Sequence, residues 1–288
     1  MTTHRAPRWR TRLLLAAAIA AAPTDGAAQV RAGVDLVVSG DYVWRGITRA
    51  APHTLQPAGW VTADAGPGVL ALGAWAAWEV ERAGPDDLTL AGRDLRFGEV
   101  DVWGQYTHRV LETDVTLGVV HYRFTGDEAS GGLGEEASTS EAYLQLWPRA
   151  GLLPFSPRTA LYWDLEESRR YLEADVTHWL PLAPFPNAPA TLVLRALAGY
   201  SFDPPDAPET APLRTFAGAG LTHADLSAAV VLPLEDLVEV PLTLHGAAHH
   251  QWSEDPATRQ RTLTAASARR WWFEMGLSYA PGPPRRIR

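Results

Sequence analysis

The chain has 288 residues, with 12 tryptophans, 24 glycines, 23 prolines and a formal net charge of −8 at pH 7. It contains no cysteine, which excludes disulfide bridges, thiolate metal sites and lipid-modified cysteines. The acidic balance argues against a nucleic-acid partner. The length allows one large domain or two ordinary ones.

The N-terminus has the order of features that is typical of a secretory signal peptide. Four arginines precede the apolar run 13–22, which is too short to span a bilayer as a helix, and small residues follow at 26–28. We expect cleavage after Ala28, so that residues 1–28 form a signal peptide. The alternative is an amphipathic or buried N-terminal helix.

The first predicted strand, residues 34–45, alternates between an apolar and a polar face. Its even positions are Val34, Leu36, Val38, Gly40, Tyr42 and Trp44, and its odd positions include Asp35, Ser39, Asp41 and Arg45. A period of two residues is that of a β-strand with two unlike faces. We expect the stretch "SGDYVWRGIT" to form the outer half of this strand.

The same alternation recurs along the chain, with no later run of 18 apolar residues that would indicate a transmembrane helix. Further alternating segments lie at 70–80, 96–106, 114–119, 141–146, 161–166, 171–180, 191–200 and 271–279. In all of these segments the carboxylates lie opposite the apolar residues: Asp35, Asp41, Glu79, Glu99, Asp101, Asp114, Glu141, Asp164, Glu166, Glu173, Asp175 and Glu274. The pattern predicts an all-β protein with one charged face.

Weaker strand candidates raise the count to about thirteen. They lie at 57–65, 213–223, 225–234 and 241–252. A single-chain bacterial barrel has an even number of strands. We therefore expect about twelve strands, with the over-count arising within 226–241, where the alternation is poor.

Two architectures fit alternating strands: a soluble sandwich or barrel, and a transmembrane barrel with its faces exchanged. Strands of about ten or more residues favour the membrane, as do long polar loops that alternate with tight turns. Aromatic residues on the apolar phase at segment ends are typical of membrane-interface belts: Tyr42, Trp44, Trp78, Tyr106, Tyr200, Trp271 and Tyr279. We predict an antiparallel up-and-down transmembrane β-barrel over residues 29–280.

Three stretches resemble the TorF-type porin family of Gram-negative outer-membrane proteins. They are "SGDYVWRGIT", "EVDVWGQY" (99–106) and "EAYLQL" (141–146), and the resemblance is strongest over residues 30–150. It implies a signal peptide, an outer-membrane β-barrel and a location in a Gram-negative outer membrane, and it supplies no catalytic residues.

The C-terminus departs from this pattern. Many outer-membrane barrels finish on an aromatic residue of the last strand, which the assembly machinery reads, whereas here Tyr279 is followed by the proline-rich basic segment "APGPPRRIR". Such a segment cannot extend a central strand. We expect residues 281–288 to form a short tail.

The charged face is predicted to line the lumen. The expected lumen-lining residues are Asp35, Asp41, Arg45, Glu79, Glu99, Asp101, Asp114, Glu141, Asp164, Glu166, Glu173, Asp175, Arg195 and Glu274. If the lumen conducts, these acids favour cations, and the barrel is a narrow porin-like channel for small solutes. The alternative is a closed barrel, held shut by an internal ionic network, that acts through its extracellular loops.

No catalytic motif stands out, so we expect no enzymatic activity and no cofactor. His245, His249 and His250 resemble a metal cluster, but His245 and His249 would lie about 13 Å apart along a strand and His250 would point to the other face. We therefore predict no metal site. The expected partners are outer-membrane lipid, the barrel assembly machinery and small solutes.

Overall fold

The computed structural model describes residues 29–45, 47–50, 53–82, 89–90, 93–124, 137–149, 155–166, 168–182, 190–202, 219–253 and 269–280. The predicted signal peptide, residues 1–28, and the predicted tail, residues 281–288, lie outside the described residues.

The described chain is made almost entirely of β-strands. They are β1 (Val30–Ser39), β2 (Tyr42–Trp44), β3 (Ile47–Ala50), β4 (Thr54–Ala65), β5 (Gly68–Arg82), β6 (Thr89–Leu90), β7 (Arg93–Val110), β8 (Thr113–Phe124), β9 (Ala137–Pro148), β10 (Ser156–Asp164), β11 (Arg170–Leu182), β12 (Ala190–Ser201), β13 (Gly220–Pro233), β14 (Leu242–Ser253) and β15 (Arg269–Tyr279). One short helix, α1 (Glu235–Val238), precedes β14. No helix among the described residues has the length and hydropathy needed to cross a bilayer.

Twelve of these strands close into a barrel. Each pairs antiparallel with its neighbours in the chain, and the sheet closes because β1 pairs with β15 and β5 pairs with β7. The short strand β6 adds to the edge of β7, while β2 and β3 form a separate sheet. The predicted fold class, an all-β antiparallel up-and-down barrel of twelve strands, is confirmed.

The wall has twelve strands and not thirteen, because two of the predicted candidates fall on one strand. The segments 213–223 and 225–234 overlap a single strand, β13, which begins at Gly220, and residues 213–218 lie outside the described part of the chain. Beyond β13, helix α1 interrupts the poorly alternating stretch 226–241. The over-count therefore arose one segment earlier than expected.

The barrel has two unlike ends. At the turn end lie the described chain ends, Gln29 and Ala280, together with the tight turns 66–67 and 111–112. At the opposite, loop end, strands are joined by connections such as 83–92, 125–136, 203–218 and 254–268, which lie largely outside the described residues. The connection 165–169, between β10 and β11, is short although it belongs to the loop end.

The two faces of the wall differ in chemistry. Apolar side chains on the outer face are exposed, including Leu36 at 47%, Leu117 at 59% and Met275 at 61%. On the inner face polar groups are buried, and Glu99 is only 2% exposed. Soluble monomers rarely expose large contiguous apolar surfaces. An apolar outer face and a polar interior are the reverse of a soluble protein and are the arrangement of a transmembrane barrel.

Inward-facing glycines make room for large neighbouring side chains. Gly73 pairs with Trp103 and Gly118 pairs with Tyr143 across adjacent strands. A Cβ atom added at Gly118 would lie 2.3 Å from the Tyr143 ring. The aromatic rings therefore lie over glycine backbone, at positions where a larger residue would displace them.

Candidate functional site in the barrel lumen

A hairpin leaves the barrel wall between Gly40 and His53. The N–H of Gly40 donates to the carbonyl of Phe273 at 2.8 Å, and the N–H of His53 donates to the carbonyl of Gly40 at 2.7 Å. The chain thus leaves β1 and enters β4 at almost the same point. Between these points β2 and β3 pair with each other, and we call residues 42–50 the inner hairpin.

The two aromatic residues of β2 lie inside the barrel. The Tyr42 ring packs 5.0 Å from the ring of Trp75, which is on the inner face of β5, and Trp44 meets Tyr122 edge-on at 5.7 Å. The predicted membrane-interface position of Tyr42 and Trp44 is therefore wrong. The wall strand ends at Ser39, so the outward direction of the even positions is lost and the rings bury their surface against other lumen aromatics.

Arg45 holds the tip of the inner hairpin. Its Nη1 and Nη2 atoms donate to Oε1 and Oε2 of Glu141 at 2.7 and 2.6 Å, and both side chains are 7% exposed. The guanidinium lies 4.5 Å from the ring centre of Tyr162 and 4.4 Å from that of Tyr171. The Tyr122 hydroxyl donates to Glu141 Oε2 at 3.0 Å. A bidentate ion pair stacked on aromatic rings is a geometry that suits arginine and not lysine.

The backbone of Arg45 is itself unusual. Its φ is 48°, in the left-handed region that is unfavourable for a residue with a side chain. Such a conformation persists where surrounding contacts enforce it. The contacts of Arg45 with Glu141 therefore also hold the turn of the inner hairpin.

Beside the inner hairpin, the lumen contains a cavity of about 380 Å³. It is lined by residues 41–45 and by the inner faces of β10 to β15, with smaller contributions from β1, β4 and β8. Its lining combines arginines, carboxylates, histidines and aromatic rings. We take this cavity, together with the inner hairpin, as the candidate functional site.

One side of the cavity is a balanced ionic network. Arg158 Nε donates to Asp175 Oδ2 at 2.6 Å and its Nη2 donates to Glu173 Oε1 at 2.6 Å. Arg195 Nη2 donates to Asp175 Oδ2 at 2.9 Å and lies 3.5 Å from Glu173 Oε1. Two arginines thus face two carboxylates, which compensates the cost of burying these charges.

The other side of the cavity is acidic. The imidazole of His249 lies between two carboxylates, with Nδ1 3.5 Å from Asp225 Oδ1 and Nε2 3.7 Å from Glu274 Oε1. The ring stacks on Trp272 at 4.5 Å with an interplanar angle of 8°. One imidazole thus lies between two carboxylates on this side of the cavity.

The base of the inner hairpin has an ion pair of its own. Arg270 Nε donates to Asp41 Oδ2 at 2.6 Å and Nη2 donates to Asp41 Oδ1 at 2.8 Å. Asp41 lines the cavity. Its partner Arg270 lies on β15.

Most of the other predicted lumen residues lie on the inner face of the wall. Asp35 accepts a hydrogen bond from Ser278 at 2.8 Å, and Asp164 accepts one from Thr139 at 2.9 Å. Glu79 lies opposite the buried Thr54 in the register of β4 and β5. The inner-face positions are Asp35, Glu79, Glu99, Asp101, Glu141, Asp164, Glu173, Asp175, Arg195 and Glu274. Glu99 and Asp101 are two residues apart on the inner face of β7.

Two predicted lumen acids lie at the ends of the wall. Asp114 is at the turn end, where it pairs with Arg109 and with Arg149, both at 3.1 Å. Glu166 is exposed in the turn after β10 and donates its backbone N–H to Asp164. The lumen assignment of Glu166 is therefore wrong, because β10 ends at Asp164 and the alternation has no meaning beyond it.

The remaining predicted interface aromatics lie on the outer face. Trp78, Tyr200 and Trp271 are close to the loop end, while Tyr106 and Tyr279 are close to the turn end. Trp271 is 63% exposed. Their positions near both ends of the wall are consistent with two belts, and their contact with membrane interfaces stays a prediction.

The three histidines of β14 do not converge. His245 and His249 lie on the inner face, whereas His250 is on the outer face against Trp252 and Trp271. Within the described ranges, no group of three or more His, Cys, Asp or Glu side chains is arranged to hold a metal ion.

Sequence reasoning missed several residues of the cavity. Asp225 and His249 lie in weak strand candidates to which no phase was assigned, and Arg158 lies outside the segment 161–166. Arg270 precedes the segment 271–279 by one residue. Extending the inward parity of the segments 161–166 and 271–279 by a few residues would have included Arg158 and Arg270, whereas Asp225 and His249 required a phase for their own strands.

No family model matches the chain, and no curated protein matches it. The resemblance to the TorF-type family thus stays a prediction.

Solved structures with some similarity to the chain are barrels. They include KdgM porin (TM-score 0.42, 8% identity, 86% of this chain and 98% of that one), outer membrane phospholipase A from Escherichia coli (0.43, 10%, 87% and 89%) and an outer membrane channel from Pseudomonas putida F1 (0.44, 8%, 88% and 96%). At these identities the similarity carries no information about chemistry.

Proposed function

We propose that this chain is a non-enzymatic outer-membrane barrel of a Gram-negative bacterium that acts as a narrow porin-like channel for small solutes, with a preference for cations. The observation that carries the proposal is the charged cavity of about 380 Å³ inside a barrel whose outer face is apolar. An intermediate strand number suits a narrow passage, since eight-stranded barrels are filled by side chains and barrels of 16 to 18 strands are open.

The wall chemistry supports a membrane location. Exposed apolar side chains such as Leu36, Leu117 and Met275 would be costly in water and are suited to lipid. Only barrels and helices satisfy their backbone hydrogen bonds within a bilayer, and this barrel closes without a free edge. Outer-membrane lipid is therefore the expected surrounding of the wall.

The charge distribution supports a preference for cations. Among the described inner-face residues, carboxylates outnumber arginines. Two of these carboxylates, Asp225 and Glu274, flank the imidazole of His249 beside the cavity. A lumen lined by one sign of charge raises the local concentration of the opposite ion.

A second function is favoured by the inner hairpin. Arg45 and Glu141 bind each other bidentately in a nearly dry site, which would keep the loop-end half of the lumen filled. In this alternative the barrel is closed and acts through its extracellular loops. The same hairpin would form the constriction of the channel in the first function.

Planar-bilayer recordings on the full chain test the proposal. We expect small discrete conductance steps and a cation-selective reversal potential in a salt gradient. The double variant Asp225→Asn, Glu274→Gln should lower the selectivity, whereas Glu235→Gln, Asp236→Asn, which removes two charges from the exposed helix α1, should not. Heat-modifiable gel migration confirms that each variant is folded. A silent bilayer with folded protein would overturn the channel and support the closed barrel.

A further inference from the structure

We propose that the lumen cavity binds a free α-amino acid, with Asp225 receiving its ammonium group and Arg195 receiving its carboxylate. The inference rests on the proposed function, because it names the solute class that the channel would take. Both residues line the cavity.

Asp225 is a buried acceptor with unused capacity. The residue is 7% exposed, and its Oδ1 atom lies 3.5 Å from Nδ1 of His249. Its Oδ2 atom is buried and has no hydrogen-bond partner among the described residues. Buried carboxylate oxygens are normally satisfied, because leaving one without a donor is destabilising. The N–H bonds of an ammonium group would supply the missing donor.

Glu274 provides a second carboxylate on this side of the cavity. Its Oε1 atom lies 3.7 Å from Nε2 of His249, on the opposite side of the imidazole from Asp225. An ammonium group has three donors. Two carboxylates around one imidazole therefore suit a cationic group better than an anionic one.

Arg195 is a donor with unused capacity on the facing side. Within the described part of the chain it makes contacts through Nη2, to Asp175 and Glu173, and its side chain is 33% exposed. The guanidinium presents five N–H donors in a planar fork that matches a carboxylate. Its Nε and Nη1 atoms thus remain available to bind a carboxylate group in the cavity.

The register of β12 and β13 places the two residues on the same part of the cavity wall. Arg195 is paired with Ser227 and Asp225 is paired with Leu197, so Arg195 and Asp225 are diagonal neighbours on adjacent strands. Diagonal neighbours are separated by about 7–8 Å between Cα atoms. An α-amino acid carries its ammonium and its carboxylate on a single carbon atom, so one small molecule can offer both groups to residues on adjacent strands. A simple cation would leave the free donors of Arg195 unused.

Calorimetric titration of the full chain in detergent tests the inference with L-alanine and its two singly charged relatives, propionate and ethylamine. We expect saturable binding of alanine, and affinities about thirtyfold lower for propionate and ethylamine, because each loses one buried charged contact. This comparison uses the native protein and does not depend on the folding of any variant. Undetectable alanine binding, or equal binding of all three compounds, would overturn the inference.

Variants then test the assigned residues. Asp225→Asn and Arg195→Gln should each weaken alanine binding by about thirtyfold. The matched controls are Asp164→Asn, a buried inner-face acid away from the cavity lining, and Arg109→Gln at the turn end; both should bind alanine as the native chain does. Unchanged binding by Asp225→Asn would contradict the assignment.

The two proposals fail in different ways. A conducting barrel that does not bind alanine would leave the channel standing and overturn the amino-acid site. A silent barrel that binds alanine with the expected discrimination would leave the site standing and overturn the channel.

Discussion

Replacing Arg45 with alanine should release the inner hairpin and leave the barrel wall folded. Arg45 makes two hydrogen bonds to Glu141, at 2.7 and 2.6 Å, and stacks on the rings of Tyr162 and Tyr171. The wall itself is held by the strand pairings, to which residues 42–50 do not contribute. The substitution should therefore weaken the docking of the inner hairpin and leave the pairing of the wall strands intact.

The size of the effect follows from the burial of the pair. Both side chains are 7% exposed, and removing one partner of a buried ion pair costs about 3–5 kcal/mol because the other charge is left uncompensated. The ratio of docked to released hairpin should then fall by roughly two to four orders of magnitude. Arg45→Lys, which keeps the charge and loses the bidentate fork, should have a smaller effect.

Amide hydrogen exchange measures the release directly. In Arg45→Ala, the amides of residues 42–50 should exchange much faster, while those of β8 and β9 keep their protection. In a planar bilayer the same variant should conduct more than the native chain. The control is Arg109→Ala, whose exposed ion pair at the turn end is worth about 1 kcal/mol or less. Native exchange rates across residues 42–50 in Arg45→Ala would refute this account of the hairpin.

Two further predictions concern the wall. Val119→Arg, on the outer face of β8, should lower the free energy of unfolding in lipid by about 2–4 kcal/mol, whereas Leu111→Arg in the exposed turn should not; equal effects would contradict a lipid-facing wall. Gly118→Ala should lower it by about 1–3 kcal/mol because the new methyl group displaces the Tyr143 ring. Gly59→Ala, with its nearest atoms at 3.9 Å, should have little effect in the same urea titration, and a loss equal to that of Gly118→Ala would argue against the ring contact.

The wall was predictable because a membrane barrel has a different solvent on each face. Leu36 is exposed on the outer face and Asp35 bonds with Ser278 inside, as their parity predicts. Each strand repeats this local rule, so that the alternation in each segment is sufficient to assign its faces. The number of strands was harder to predict, because the sequence has two apolar stretches within residues 213–234. The strand β13 accounts for the overlap, as its pairing with β12 and β14 shows.

The inner hairpin was not predictable from alternation. Tyr42 and Trp44 keep the parity of the outward residues that precede them, and nothing local distinguishes a continuing wall strand from one that folds inward. The contact that decides the matter joins Arg45 to Glu141 across 96 residues of sequence. The cavity depends on similar long-range pairs, since Arg195 and Asp225 come together only through the register of β12 and β13.

The two ion pairs of the hairpin have different consequences for a channel. Asp41 and Arg270 hold its base, but the base is also fixed by the backbone bonds of Gly40 with Phe273 and His53, so loss of this pair should not free the segment. The tip depends on Arg45, whose strained backbone and buried charge are both stabilised by one set of partners. In the proposed channel, opening of the lumen should therefore begin at the tip, and the ion pair of Arg45 with Glu141 should oppose the widening of the passage.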